Sequence, residues 1–171
     1  MKIGVVSDTH GRLHTIAAAL ALLKERGAEL LIHCGDIDDA ETARAFAGWD
    51  AHFVFGNCDA DRGDIARAIA HIGATLHDSF GHLELDGKQI AWTHGDDAGL
   101  LHDLEQAAHY DYIFYGHTHV ADQRMSGKAH VINPGALHRT REKTCLVVDL
   151  ETEALETVVV ATQPPSHSPS K

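Results

Sequence analysis

Two histidines separated by one threonine follow an apolar strand in the segment YGHTHV, residues 115–120. An imidazole at a strand end costs desolvation and packs poorly, so His117 and His119 together point to ligation rather than to core. The same grammar recurs at four other strand ends. VVSDTHG offers Asp8 and His10, LIHCGD offers Asp36, FVFGNCD offers Asn57, and IAWTHGD offers His94. In sheets flanked by helices, ligands bind beyond the carboxyl ends of the strands. Glycine at those ends lets one chain segment approach another closely.

Each piece alone has an ordinary reading. Asp8 or Thr9 would cap the following helix, and Asp36 with Asp38 and Asp39 would make a solvated acidic loop. Asn57 after Gly56 would be a turn residue, and His94 a hydrogen-bonded structural histidine. Five repetitions of one pattern favour a shared site.

Asp8, His10, Asp36, Asn57, His94, His117 and His119 make seven donors, all nitrogen or oxygen. A single zinc takes about four ligands, so this number suits two ions that share a bridging carboxylate. Nitrogen and oxygen donors suit Mn²⁺, Fe, Zn²⁺, Ni²⁺ or Co²⁺ without choosing among them, and Mn²⁺ is the expected occupant. Two divalent cations against two aspartates and a bridging hydroxide leave a small positive excess that can hold a phosphate. Metal-activated water attacking phosphorus then gives phosphoester hydrolysis. Competing motifs are missing: no HExxH occurs, Gly87-Lys88-Gln89 lacks the phosphate-loop spacing, and the acidic loop lacks the glycine and glutamate of a calcium loop.

The elements needed to position these residues are legible. KIGVV (2–6), LLIHC (30–34) and HFVF (52–55) read as short buried strands. Leu13, Ile16, Ala17, Leu20 and Leu23 recur at helical spacing before Gly27, a C-terminal cap. Asp39 caps a helix over 40–47, and Asp64 caps a short helix ending near His71. Asp86-Gly87 joins HLEL and KQIAWT as a hairpin. A helix carrying Leu100, Leu101, Leu104 and Ala108 follows. Then come YIFY, a strand near 119–125, AHVI, TCLVVDL and ALETVVV, with turns at Ser126-Gly127 and 151–153. The pattern is βαβα early and mostly antiparallel late. About ten strands exceed one compact sheet, so two stacked sheets with outer helices are expected.

The chain of 171 residues suits one domain, residues 1–162, followed by a Pro- and Ser-rich tail at 163–171 that reads as disordered. No apolar run is long enough to span a membrane, and the N-terminus enters a strand without a signal-peptide pattern, so the expected location is cytoplasmic. Three scattered cysteines fit reduced thiols. A formal charge of −11 with no basic cluster argues against a nucleic-acid polymer as partner. The expected partner is a small phosphoester, and the late strands offer an edge or face for a homo-oligomer. Of fifteen histidines, His14, His71, His77, His102, His109 and His167 lie in helical or tail contexts and receive no role.

Asp8-Thr9-His10, Gly35-Asp36, Gly56-Asn57, Thr93-His94-Gly95 and Gly116-His117-Thr118-His119, in this order, resemble the calcineurin-like metallophosphoesterase superfamily. The likeness spans roughly residues 2–160. Chain length and INPGA at 132–136 are similar to its short single-domain phosphodiesterase branch. The resemblance implies an α/β fold, a four-layer αββα sandwich of two mixed sheets flanked by helices. It implies that Asp8, His10 and His119 hold one ion, that Asn57, His94 and His117 hold the other, and that Asp36 bridges. Asp36 and Asn57 are also counted as catalytic.

Many members carry histidine where this chain has Cys58, in GNCD, although the short branch that the chain resembles often has cysteine there. A thiol is a poor general acid at neutral pH, so good leaving groups are expected, and Cys58 is read as a small packed residue rather than a nucleophile. Cys58, Asp59 and Arg12 are the candidate substrate contacts. Two other readings compete: a phosphomonoesterase or nucleotidase with the same metals, and a non-enzymatic scaffold of the same fold, which loss of ligands would have supported.

Overall fold

The computed structural model describes residues 1–161, so the tail beginning at 163 lies outside the described residues. Eleven strands and four helices alternate along it. The first half gives β1 (Lys2–Val6), α1 (Leu13–Glu25), β2 (Leu30–His33), α2 (Ala40–Arg44), β3 (Asp50–Phe53), α3 (Arg62–His71) and β4 (Thr75–Leu76). The second gives β5 (Phe80–Leu85), β6 (Lys88–Thr93), α4 (Ala98–Gln106), β7 (Tyr112–Phe114), β8 (Asp122–Ser126), β9 (Ala129–Asn133), β10 (Thr144–Asp149) and β11 (Leu155–Val159).

These strands form two mixed sheets, as expected. One has six strands in the order β11-β10-β1-β2-β3-β4, the other five in the order β5-β6-β7-β9-β8. In the first, β1 through β4 run parallel while β10 and β11 pair antiparallel. In the second, β6, β7 and β9 are parallel, with β5 and β8 antiparallel at the edges. The second half is therefore less antiparallel than its short spacings suggest. α4 serves as the crossover between β6 and β7, and the β8–β9 hairpin folds back so that β9 lands parallel to β7.

Burial divides the sandwich into layers. Ile3, Val5, Leu30 and Ile32 of the first sheet meet Trp92, Tyr112, Phe114 and Ile132 of the second between the sheets. The opposite face of the first sheet packs on Ile16, Leu20 and Leu23 of α1, on Ala43 of α2 and on Ile65 and Ile69 of α3. Leu104 of α4 covers Ala91, Ile113 and Val131 on the outer face of the second sheet. Residues alternate between these cores along β2, β6, β7 and β10, the period of a strand buried on both faces.

Several boundaries differ from expectation for local reasons. Asp61, not Asp64, caps α3: its side chain accepts from the Asp64 N–H. Asp39 does cap α2, but the helix gives way to turns after Arg44. β3 starts earlier because Asp50 and Ala51 already pair with Leu30 and Leu31. β4, two residues long, carries no periodic signal. The strand expected near 119–125 begins at Asp122, the preceding residues forming the histidine loop. Asp86 and Gly87 both take positive φ, as a two-residue hairpin requires.

Gly81 sits opposite Trp92 in the β5–β6 pair, and a Cβ added there would lie 2.0 Å from the indole. Trp92 is fully buried between the sheets and has nowhere to move. Gly81→Ala is expected to cost about 1–3 kcal/mol of stability, read as a lowered urea midpoint at unchanged m-value.

Candidate metal centre

Every parallel strand of both sheets ends on one side of the molecule. β1 delivers Asp8 and His10, β2 delivers Asp36, and β3 delivers Asn57 from the first sheet. β6 delivers His94 and β7 delivers His117 and His119 from the second. Sequence-distant loops thus converge where the sheets meet.

Asp36 lies at the middle, almost fully buried. One of its oxygens, Oδ2, is 3.4 Å from His10 Nε2. The other, Oδ1, is 3.4 Å from His94 Nε2 and accepts from the Cys58 N–H. On the His10 side, Asp8, His10, Asp36 and His119 bring four ligand atoms within 4.8 Å of one another. On the His94 side, Asn57 Oδ1 is 3.1 Å from His94 Nε2 and 3.1 Å from His117 Nδ1. All seven expected donors are thereby gathered into two groups that share one carboxylate.

The first group fits a cation by an independent criterion. Asp8 Oδ1 and His10 Nε2 are buried and make no hydrogen bond. His119 Nε2 lies only 3.1 Å from Asp8 Oδ1, yet forms no hydrogen bond to it. Buried polar atoms that face one another without a hydrogen bond are costly unless a cation binds them.

The donors are also oriented. His94 Nδ1–H donates to the Cys34 carbonyl at 2.8 Å, which leaves Nε2 turned to Asp36 and Asn57. Burial opposes charge on His94, but the Asp36 carboxylate outweighs it and pushes the imidazole up to about 9. Burial raises Asp36 in turn, and the bonds from His94 and Cys58 more than reverse this, holding it well below the usual carboxylate range. The negative potential that keeps a proton on His94 would equally hold a divalent cation.

The backbone is bent to achieve this. Asp8, His10, Asp36, His117 and His119 all have φ between 41° and 68°, a region non-glycine residues seldom occupy. Neither Asp8 nor Thr9 caps α1, whose N-terminus has no side-chain cap. Instead Asp8, Thr9 and His10 donate backbone bonds to the carbonyls of Gly35 and Asp36, zipping the two aspartate loops together. The glycines before Asn57 and His117 have a steric purpose. A Cβ on Gly56 would fall 2.2 Å from Asp36 Oδ1, and one on Gly116 would fall 1.9 Å from Ser7 Oγ.

The candidate substrate contacts separate. Asp59 is buried, and its carboxylate accepts from the N–H groups of Ile37, Asp38 and Gly56, tying the Asp36 loop to the Asn57 loop. Cys58 is exposed rather than packed; its N–H donates to Asp36 Oδ1, and the Asn57 amide nitrogen lies 3.6 Å from its sulfur. Burial and the neighbouring Asp36 push its thiol up to about 11, so it stays protonated. Arg12 is exposed and hydrogen-bonded to His138.

Two positioning residues stand outside the expected donor set. Asn133 Nδ2 donates to the Gly116 carbonyl and to Thr118 Oγ1, fixing the histidine loop, while its Oδ1 accepts from Gly135. As part of INPGA it reads only as a turn. His33, inside a strand, accepts from the Gly35 N–H at Nδ1, and its Nε2 is 2.9 Å from Thr9 Oγ1. It thus links both aspartate loops. A histidine in the middle of an apolar strand was the available signal.

A family model for the calcineurin-like phosphoesterase superfamily domain matches residues 1–153. Phosphodiesterase MJ0936 of Methanocaldococcus jannaschii is 30% identical over 165 residues, covering 94% of this chain and 99% of that protein. Phosphodiesterase YfcE of Escherichia coli K12 is 27% identical over 152 residues, covering 80% and 79%. A solved structure of a novel archaeal phosphodiesterase superposes with TM-score 0.86 at 29% identity, covering 93% of this chain and 99% of that one.

Complete burial, and secondarily the positive potential of His94, depress His33 to about 3. The unfolded chain binds a proton there near pH 6.5, so between those values it holds more protons than the folded state. Stability must therefore fall as pH drops from 6.5 toward 3, by up to about 4 kcal/mol across the window. With chelator present, His33→Gln is expected to flatten this slope in urea unfolding measured from pH 7 to 4; an unchanged slope would contradict the assignment.

Proposed function

The chain belongs to the calcineurin-like phosphoesterase superfamily, and from that premise we propose that it hydrolyses a small phosphodiester at a centre of two divalent cations. Membership makes it a phosphoesterase; the two-metal centre and the diester preference are our reading. The observation that carries this reading is Asp36, whose two oxygens face different histidines at 3.4 Å each.

Asp8, His10 and His119 would hold one cation, Asn57, His94 and His117 the other, with Asp36 shared. The donor chemistry suits Mn²⁺, Fe, Zn²⁺, Ni²⁺ or Co²⁺, and Mn²⁺ is the cation we propose. When bound, such a pair supplies Lewis acidity and a water-derived nucleophile for displacement at phosphorus. The chain itself sets the geometry. Asp36 is held by the Cys58 N–H, Asp8 Oδ2 accepts from the His117 N–H, and His94 is locked through Nδ1. Asn57 keeps its oxygen on the histidine pair, and Asp59 acts on the substrate only by holding the two loops in register.

Beside Gly56 and Thr93 lies a cleft of about 400 Å³ lined also by Phe55, Arg62, Phe80, Asp96, Asp97 and Leu100; none of the seven donors lines it, so it carries no argument for a diester. Cys58, exposed where many relatives are expected to carry histidine, offers a poor proton donor to the departing oxygen. This supports substrates with good leaving groups, aryl or strained diesters, over alkyl monoesters. The net charge of −11 disfavours nucleic-acid polymers. Among the described residues no helix is long and apolar enough to cross a membrane, which is compatible with the cytoplasmic location we propose. A scaffold role is the weaker reading, because the donor set is complete and the buried Asp8 and His10 atoms have no structural partners.

Asp36→Asn is expected to bind one equivalent of Mn²⁺ fewer than wild type by elemental analysis. Its turnover of bis-p-nitrophenyl phosphate should drop by roughly 10²-fold or more. A variant that keeps both metal equivalents and near wild-type turnover would refute the shared-carboxylate centre. Faster turnover of p-nitrophenyl phosphate than of the diester by wild type would favour the monoesterase reading.

A further inference from the structure

Arg12 differs from the arginines that the fold uses structurally. Arg26, Arg62, Arg67 and Arg124 each pair with an Asp or Glu. Among the described residues Arg12 has no carboxylate partner; its side chain makes one hydrogen bond, from Nε to His138 Nδ1 at 3.0 Å. His138 lies 126 residues away, after Asn133-Pro134-Gly135, and no motif includes it. Its ring meets His10 edge-on at 5.4 Å between centroids, while His10 lies 5.5 Å from His119. The pair therefore stands at the rim of the Asp8–His10–His119 group.

Both ends of the pair hang from the ligand loop itself. The Arg12 N–H donates to the Thr9 carbonyl, between Asp8 and His10. The Leu137 N–H donates to the Ser7 carbonyl, and Ala136 and Leu137 are fully buried, so His138 emerges from a fixed backbone. The bond through Nε has a chemical consequence. It leaves the two terminal nitrogens of the guanidinium unused, and these are the donors that grip an oxyanion. It also requires Nδ1 of His138 to be an acceptor, so the imidazole adds no competing charge there.

We propose that His138 is a positioning residue that orients Arg12, and that the oriented guanidinium binds a non-bridging oxygen of the substrate phosphoryl group on the His10–His119 side. The proposal rests on the phosphoesterase reading and adds to it the device that recognises the phosphoryl charge. An exposed arginine alone would lose rotamer entropy on binding; one already fixed by His138 loses less.

The test uses the Mn²⁺-loaded full chain with inorganic phosphate as the probe, followed by titration calorimetry, which needs no turnover. Arg12→Ala and His138→Leu are each expected to weaken phosphate binding about tenfold and to raise KM for bis-p-nitrophenyl phosphate more than they lower kcat. His138→Asn places Oδ1 where Nδ1 stands and should restore most of the loss. Manganese content should match wild type in all three. Unchanged phosphate affinity in Arg12→Ala and His138→Leu, or a loss that tracks lost manganese, would overturn the proposal. If wild type hydrolyses no phosphoester yet shows this His138-dependent phosphate binding, the arm stands and the catalytic reading fails.

Discussion

Asp36 is an anion placed almost entirely out of water, and a carboxylate so buried costs several kcal/mol unless cationic or donor groups surround it. Its surroundings are arranged to meet that cost from two directions at once. His10 faces one oxygen and His94 the other, with the Cys58 amide as an added donor. Neither histidine can approach unless the strands that carry them end at the same level. That requirement explains the shared polarity of β1, β2, β3, β6 and β7, whose carboxyl ends all open toward this point.

Convergence is bought with backbone strain. Five of the seven donors occupy the left-handed region, each at a cost on the order of 1–3 kcal/mol where the residue is not glycine. Such conformations persist only when neighbours over-determine them. Here the Asp8 and Asp36 loops share a ladder of backbone hydrogen bonds, His33 and Thr9 cross-link them from beneath, and Asp59 joins the Asp36 loop to the Asn57 loop through three amides. Removing strain at one ligand would not relax the site, because each loop is pinned by the next.

The sequence exposed the donors more clearly than the supports. Each donor follows a strand and a small residue, a pattern visible from spacing alone, and all seven meet in space. The supports carry no such punctuation. Asp59 looked like a polar neighbour open to substrate, yet its carboxylate is committed to backbone amides. Asn133 looked like a turn residue, and its amide nitrogen instead holds the histidine loop. The sheet order was legible in outline only: two sheets followed from the number of strands, while the parallel run of β6, β7 and β9 depends on where α4 and the β8 hairpin fall in three dimensions. Short β4 and the capping of α3 by Asp61 are set by pairing and capping partners that local composition does not weigh.

The site also lies across the seam of the sandwich. Asp8, His10, Asp36 and Asn57 belong to loops of the first sheet, and His94, His117 and His119 to loops of the second. Between the sheets the contact is apolar, carried by residues such as Val5, Ile32, Trp92 and Phe114, and apolar packing is tolerant of small sliding. Ligand geometry is not. Hydrogen bonds at the rim fix the register: Gly116 N–H to the His94 carbonyl ties the second sheet's loops together, and His117 N–H to Asp8 and His94 Nδ1–H to the Cys34 carbonyl tie them across to the first. A cation coordinated from both sheets would add to this clasp, so ligand binding and sheet packing stabilise the same arrangement. The core thus sets where the loops begin, and the polar rim sets the register that the chemistry needs.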